Sequence, residues 1–318
     1  MSTDARNHHY VPQTYLRAFT DGESKKSKFT VFDVATEKRF ETVPRNVCAV
    51  RDFNRVSIPG MDANAIESGM GIFESLIAPA VAEINLTNTF EGEAKNTILN
   101  LMALLAVRHP DRRESMRKFH SQIAKITMGM LLNRREMYDN VTAEMRSEGI
   151  ISEDSPSYTD VKAFFDGGQY DIEVTNESHL NSEQTMHETA LPLLAERSWM
   201  LYRVNPKDGH FITSDHPVSI TWRNPSNIPP LYRHSPGFGM RDTEVLFPLT
   251  KNLVLIGIFD GESGYQIASP LLVAASNSRV ANYCSRQIYS SKRSFTALSP
   301  QMEIINGPDL LKMHPASR

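Results

Sequence analysis

The spacing of apolar residues changes twice along the chain, and this change constrains the fold more than any other feature. Residues 28–34 and 38–43 alternate apolar and polar positions around a short polar link, which is typical of a β-hairpin. Between residues 62 and 148 the apolar positions recur every three or four residues, as on one face of a helix. Short apolar strands separated by turn residues return after residue 199. Strands at both ends and helices between them predict an α+β fold.

Three helices are predicted in the middle of the chain from this spacing. They cover residues 66–84, 93–107 and 112–145, and residues 108–110 end the second because proline cannot continue a helix. A continuous apolar stripe supports each helix. The stripe of the third is formed by Met116, Phe119, Ile123, Ile126 and Met130.

We predict one domain over residues 1–318, in which the N-terminal hairpin joins an antiparallel or mixed C-terminal β-sheet and residues 62–198 form a helical insertion. The two cysteines, Cys48 and Cys284, are too few for a disulfide framework. The low number of cysteines and the lack of an apolar leader at the N-terminus together favour a cytoplasmic protein. The longest apolar runs, such as residues 253–259, are too short to cross a bilayer, so no membrane partner is expected.

Charge and motifs exclude several classes of function. The net charge of −3 gives no global basic field, so contact with nucleic acid would need a local basic patch. The sequence lacks the glycine-rich phosphate loops, the H-E-x-x-H zinc motif and the G-x-S-x-G nucleophile elbow. Nucleotide-driven chemistry, zinc proteolysis and α/β-hydrolase chemistry are therefore disfavoured.

Two adjacent histidines, His8 and His9, are the strongest candidates for a functional site. Imidazole suits proton transfer near neutral pH, phosphate contact and metal ligation, and it is costly to bury without partners. Neighbouring residues of an extended segment point to opposite sides, so one of the two is expected to face any given centre. The alternative is a flexible tail, or a histidine packed under the sheet.

A second candidate lies in residues 213–217, which follow a short apolar strand. Asp215 stands at a strand end, where carboxylates often act as acids or metal ligands. Ser214, Asp215 and Pro217 are also turn-forming residues, so an ordinary turn is the alternative.

The predicted helices carry the remaining candidates. Glu67 and Glu74 lie on nearly one face of the first helix, about 10 Å apart along its axis, where they either meet a histidine or arginine or remain solvated. Arg108 ends the second helix, a place that the helix dipole alone favours, and its guanidinium also suits a phosphate or carboxylate. The basic residues from Arg108 to Lys118 form either a nucleic-acid contact or a solvated helix face.

A family resemblance connects these candidates. Residues 8–19 read His-His-x-Val-Pro-Gln-x-Tyr-Leu-Arg-x-Phe, and residues 213–217 read Thr-Ser-Asp-His-Pro. Through these motifs the chain resembles the prokaryotic family of unknown function numbered 4238, in which asparagine is usual where this chain has His216. Supporting matches lie at residues 66–67, Glu74, residues 108–110 and residues 247–249.

The resemblance implies that the candidates share one site, but it supplies no function. We expect His8 or His9, Asp215 and at least one of Glu67 and Arg108 to converge. Catalytic roles are predicted for His8, His9, Glu67, Arg108 and Asp215. Substrate contacts are predicted for Gln13, Arg17, Glu74, Ser214 and His216. His9 and Asp215 are predicted to bind Mg²⁺ or Mn²⁺.

These residue types suit metal-assisted hydrolysis of phosphodiester bonds by a nuclease-like enzyme, such as a toxin or phage-defence effector. Its nucleic-acid partner would meet the Arg108–Lys118 region. The alternative is a non-enzymatic binding or sensor protein in which the same side chains form a buried polar network or ligand pocket. A metal-independent transferase or lyase with a histidine base is a third hypothesis.

Overall fold

The sheets of this protein are built from strands at both ends of the chain, in a computed structural model that describes residues 6–152 and 154–313. The helices are α1 (Gln13–Arg17), α2 (Ala65–Thr87), α3 (Gly92–Val107), α4 (Pro110–Leu132), α5 (Arg135–Ser147), α6 (Tyr158–Gly167), α7 (Asn176–Ala195), α8 (Pro270–Tyr283) and α9 (Gly307–Met313). The strands are β1 (Asn7–His9), β2 (Phe29–Asp33), β3 (Lys38–Thr42), β4 (Ala49–Arg51), β5 (Ser198–Val204), β6 (Thr213–Ser214), β7 (Ser219–Trp222), β8 (Thr243–Thr250), β9 (Leu253–Ile258), β10 (Gly264–Ala268), β11 (Gln287–Ser290), β12 (Thr296–Leu298) and β13 (Ile304–Asn306).

The predicted N-terminal hairpin joins strands from the C-terminal part of the chain. Strands β2 and β3 pair as a hairpin, and β2 then pairs with β11 in a four-stranded sheet of order β3-β2-β11-β6. A second sheet of order β10-β5-β9-β8-β7 is mixed, because β10 and β5 are parallel and its other pairs are antiparallel. The predicted α+β class, with a central helical block and a C-terminal sheet, is therefore confirmed.

The two histidines enter the fold as part of a strand pair. Strand β1 pairs antiparallel with β4, and His8 lies opposite Val50. Because neighbouring side chains of a strand point to opposite faces, His8 is fully buried while its neighbour His9 is half-buried. This pairing holds residues 7–9 in the fold rather than as a tail.

Helices α2 and α3, which carry two of the predicted apolar stripes, pack against each other in the core. Ile77 and Ile84 of α2 are fully buried, as are Leu101 and Met102 of α3. Residues spaced by three and four positions share one helix face, so these stripes identify the buried sides correctly.

The chain forms two compact units. The first comprises the described residues within 1–110 and 180–318, and the second comprises those within 111–179. Helices α2 and α3 belong to the first unit, and α4 to α6 lie mainly in the second. The single domain with an insertion over residues 62–198 stays a prediction.

The third predicted helix is not continuous in the structure. It is divided into α4 and α5 at Asn133 and Arg134, where Arg134 adopts an extended conformation with φ −131°. Asparagine hydrogen-bonds nearby backbone in non-helical conformations, and this favours a break. The apolar stripe of α4 is exposed for most of its length rather than buried.

Helix α2 is long and apolar enough to cross a membrane by length and composition alone. It is 23 residues long, and one face lies in the core while Ile72, Leu76 and Leu86 are exposed on others. Among the described residues it is the one helix that meets this test.

A buried histidine makes stability depend on pH. Burial lowers the pKa of His210 to about 4, assisted by Lys292 and Lys251, and its Nε2 lies 2.8 Å from the Ser290 hydroxyl. Below the ordinary histidine pKa of about 6.5 the unfolded chain binds a proton that the folded chain does not, so acid destabilises the fold. We expect the free energy of unfolding to fall by up to about 3 kcal/mol between about pH 6.5 and pH 4 from this group.

Urea unfolding followed over this pH range measures the effect. His210→Gln should flatten the dependence, whereas His234→Gln, at an exposed position, should leave it as in the wild type. Equal slopes for both variants and the wild type would show that His210 is not the group responsible.

Candidate functional site

Ionisable and amide side chains from five separate segments lie within hydrogen-bonding or electrostatic reach of one another around β1. We call them the polar cluster: His8, His9, Arg17, Asn54, Glu67, Glu74 and Arg108. Strand β1 carries the two histidines, α1 carries Arg17 and α2 carries both glutamates. Arg108 directly follows the last residue of α3. Asn54 comes from the loop after β4. All seven lie in the first compact unit.

Asn54 is the centre of the polar cluster. Its side-chain nitrogen donates to Glu67 Oε2 at 2.6 Å, and its side-chain oxygen accepts a hydrogen bond from Arg108 Nη2. Arg108 is only 3% exposed, and its guanidinium also lies over the Phe53 ring at 5.5 Å. One amide therefore connects a carboxylate to a buried cation and orients both.

The backbone of Asn54 also sets the tautomer of His8. The Asn54 N–H donates to His8 Nδ1 at 2.8 Å, so Nδ1 is unprotonated and the proton of the ring lies on Nε2. Glu67 Oε2 is 4.0 Å from the same Nδ1. His8 therefore meets this carboxylate as a neutral imidazole rather than as half of an ion pair.

Both ring nitrogens of His9 form hydrogen bonds. Its Nε2 lies 3.2 Å from the Arg45 carbonyl oxygen and donates to it, which leaves Nδ1 to accept from the Gln13 amide at 3.4 Å. Burial lowers the pKa of His9, opposed by the Arg45 carbonyl and by the charge of Glu67. His9 is thus a neutral imidazole near pH 7 whose Nδ1 has one long hydrogen bond.

Glu74 combines burial with opposing charges. Its pKa is raised, first by burial and then by the negative charge of Glu67, while Arg108 and Arg17 act in the opposite direction. A carboxyl that stays protonated to higher pH beside guanidinium groups is the type of group that gives a proton to a leaving group. Glu67 and Glu74 are therefore not two solvated charges on a helix flank.

Asp215 stabilises the backbone of another segment. Its Oδ1 accepts from the Ser285 N–H at 2.9 Å, and its Oδ2 accepts from the N–H groups of Arg286 and Gln287 at 2.7 and 2.9 Å. Its negative charge also contributes to the raised pKa of the buried Cys48 thiol and Tyr289 hydroxyl. These bonds give Asp215 a structural role between segments 70 to 72 residues apart, which differs from the local turn that was the alternative in the sequence.

Ser214 and His216 flank this carboxylate. The Ser214 hydroxyl accepts from the His216 N–H at 3.2 Å, and the His216 ring stacks on Tyr283 with centroids 5.0 Å apart. His216 also meets His109 edge-on at 5.3 Å, and His109 in turn meets Tyr10 at 5.2 Å. A row of aromatic and imidazole rings therefore connects the second motif to the residue that follows His9.

The structure joins His8, Glu67 and Arg108 through Asn54. His9 and Glu74 lie within electrostatic reach of Glu67, and Arg17 lies within electrostatic reach of Glu74. Gln13 reaches the site through its bond to His9. Asn54 had no signal in the sequence, since it belongs to no motif and to no apolar period. Tyr10 and His109 lie within the family motifs of residues 8–19 and 108–110, at positions to which the sequence assigned no role.

Two further predictions can be compared with the geometry. In the part of the chain that the structure describes, no three His, Cys, Asp or Glu side chains are placed to hold a metal ion together. In the Arg108–Lys118 region, Arg108 and Arg113 are buried, whereas Arg112 and Lys118 are exposed. The predicted metal pair and the nucleic-acid contact therefore stay predictions.

Comparison with known proteins identifies one family. A family model described as "Protein of unknown function (DUF4238)" matches residues 7–294, which is most of the chain and includes the whole polar cluster. Neither the curated proteins nor the solved structures contain a match.

Proposed function

The chain belongs to the DUF4238 family, and we propose that its polar cluster hydrolyses phosphodiester bonds by acid–base catalysis. The observation that carries this proposal is Glu74, a half-buried carboxyl whose pKa is raised by burial and by Glu67 and which lies within electrostatic reach of Arg17 and Arg108. Guanidinium groups suit phosphate oxygens, and a protonated carboxyl suits an alkoxide leaving group.

Each residue has a defined role in the proposed reaction. His9 takes a proton from water through Nδ1, the oxygen of that water attacks phosphorus, and the bond from phosphorus to the leaving oxygen breaks. Glu74 gives its proton to that leaving oxygen. Arg17 binds the phosphate and Arg108 stabilises the charge that develops on it. Asn54 and Glu67 hold Arg108 in place.

A metal ion is not assigned a place in this proposal. Both oxygens of Asp215 accept from backbone amides, and His9 Nε2 donates to the Arg45 carbonyl. These atoms are therefore already engaged in hydrogen bonds, and a mechanism that uses side chains alone is better supported than one that uses a metal ion bound by His9 and Asp215. Action as a toxin or phage-defence effector would be the biological setting of such a nuclease.

Incubation of the purified protein with end-labelled single- and double-stranded DNA and RNA tests the proposal. We expect cleavage of at least one of these substrates, and we expect it to persist in excess EDTA. Cleavage only with added Mg²⁺ or Mn²⁺ would favour the metal-assisted mechanism instead. No cleavage under any condition would contradict both.

A binding or sensor protein is the second candidate, and two observations favour it. His8 is fully buried with Nδ1 bonded to backbone, and Asp215 holds three backbone amides, so part of the predicted set stabilises the fold. A protein of this kind would bind nucleic acid or a phosphate ester without cleaving it. Isothermal titration with the same oligonucleotides distinguishes this candidate, because it predicts saturable binding that Arg17→Gln weakens and an intact ligand afterwards.

A further inference from the structure

Two segments that meet at His9 contain basic side chains and no acidic ones. Residues 6–20 and 43–51 include four arginines and two histidines, and neither aspartate nor glutamate. Strand β1 of the first segment pairs with β4 of the second. Arg51 forms an ion pair with Asp52, so its charge is already balanced. The other three arginines give these segments an excess of positive charge, which attracts polyanions.

A short turn fixes the backbone of Arg45 beside His9. The 3₁₀ turn Pro44–Asn46 is closed by the Val47 N–H, which donates to the Pro44 carbonyl, and both Pro44 and Val47 are buried. The Arg45 carbonyl accepts from His9 Nε2 at 3.2 Å. Arg45 is therefore held at its backbone, while its side chain is exposed.

The two nitrogens of the His9 ring meet different cationic segments. Nδ1 accepts from Gln13, the first residue of α1, and Arg17 lies on the same helix face about 6 Å further along the axis. Nε2 donates to the turn that carries Arg45. Arg45 therefore approaches His9 at Nε2, whereas Arg17 belongs to the helix that meets the ring at Nδ1.

The guanidinium groups of Arg17 and Arg45 are not used to hold the fold together. Within residues 6–152 and 154–313, neither side chain forms a hydrogen bond or an ion pair, and Arg17 acts on Glu74 through its charge alone. Other arginines of the same compact unit, such as Arg197 and Arg279, donate to backbone carbonyls. Arg17 and Arg45 therefore keep their donors for a ligand, and guanidinium groups suit phosphate oxygens.

We propose that Arg45 binds the phosphate next to the scissile one, and that the substrate of the polar cluster is therefore a nucleic-acid strand rather than an isolated phosphodiester. This inference rests on the proposed function, in which Arg17 binds the scissile phosphate and His9 Nδ1 takes a proton from water. A nucleic-acid strand repeats its phosphates along its length, so a strand that crosses His9 from Arg17 presents its next phosphate to Arg45. A single or cyclic diester has no phosphate to place there.

Steady-state cleavage of two matched kinds of substrate tests the proposal. Dinucleoside monophosphates of thymidine and of uridine have one phosphate, and the corresponding trinucleoside diphosphates have two. We expect the wild-type KM to be about 10-fold lower with two phosphates, the contribution of one charge-assisted contact. Arg45→Gln should raise this KM about 10-fold and leave kcat unchanged, and it should change neither constant for the substrates with one phosphate. The substitution keeps the backbone carbonyl that accepts from His9.

Salt dependence gives a readout that a structural role of Arg45 would not change. Each phosphate neutralised on a single strand contributes about −0.7 to the slope of log affinity against log salt concentration. For a single-stranded oligonucleotide, Arg45→Gln should reduce the magnitude of this slope by about 0.7, and Arg45→Lys, which keeps the charge, should restore it. Arg223→Gln is the matched control, because Arg223 is also exposed, and it should keep the wild-type KM and slope.

The outcomes separate this inference from the proposed function. Arg45→Gln with a wild-type KM and salt slope on substrates with two or more phosphates would overturn the second phosphate site. An equal loss on the substrates with one phosphate would also overturn it, because Arg45 would then act on the scissile phosphate or on His9. Wild-type protein that cleaves none of these substrates, nor any longer oligonucleotide, would contradict the proposed function and this inference with it.

Discussion

Replacing Asp215 with alanine is expected to lower the free energy of unfolding by about 3–5 kcal/mol, because three part-buried backbone N–H groups lose a charged acceptor at once. The carboxylate is 3% exposed and accepts from Ser285, Arg286 and Gln287. Each orphaned buried donor costs about 1–3 kcal/mol, and hydrogen bonds to a charged acceptor are stronger than neutral ones. Urea unfolding at pH 7 measures the change.

Asp215→Asn and a surface control separate the possible causes of this loss. Asparagine has one acceptor oxygen, so it retains part of the network and should give an intermediate loss. Asp166→Ala removes the exposed carboxylate that pairs with Lys162, and it should change stability by less than about 1 kcal/mol. A loss for Asp215→Ala as small as that of the control would show that the three amides do not depend on the carboxylate.

Replacing Glu74 with glutamine is expected to lower kcat/KM for phosphodiester cleavage by about 100-fold to 10,000-fold, the usual contribution of a positioned acid. Glutamine keeps the size of the side chain but has no proton to give to the leaving oxygen. Because burial and Glu67 both raise the pKa of Glu74, removal of this carboxyl should not destabilise the fold at neutral pH. Initial rates with a labelled oligonucleotide measure the effect.

The same helix offers a matched control for this experiment. Glu83 lies on α2 at an exposed position, and Glu83→Gln should retain the wild-type rate. If Glu74→Gln were as active as Glu83→Gln, Glu74 could not be the acid. A loss of activity accompanied by unfolding, seen by circular dichroism, would instead assign Glu74 a structural role.

Much of the fold could be predicted from the sequence because burial imposes periods on the apolar residues. The alternation in residues 28–34 and 38–43 predicted the hairpin of β2 and β3, and the stripes of α2 and α3 predicted their buried faces. The stripe of α4 has the same pattern and is exposed. Periodicity identifies an apolar face, but it does not say whether the same chain or another molecule covers it.

The candidate site was only partly predictable, for a related reason. The family resemblance led us to expect that His8 or His9, Asp215 and at least one of Glu67 and Arg108 converge, and the structure joins His8, Glu67 and Arg108 through Asn54. Asn54, which joins Glu67 to Arg108, lies 46 residues from His8 in the chain and belongs to no periodic pattern. Asp215 carried the signals of a turn and of a site together, and its three amide partners are far from it in sequence.

The most direct test of Glu74 as the acid is the pH dependence of kcat/KM for the wild type and for Arg17→Gln. The rate should fall as pH rises through the pKa of Glu74, because the acid must be protonated in the free enzyme. Arg17 lowers that pKa, so Arg17→Gln should move the fall in rate to higher pH, in addition to weakening phosphate binding. A fall in rate at the same pH in both proteins, or no fall in the wild type, would contradict the proposed role of Glu74.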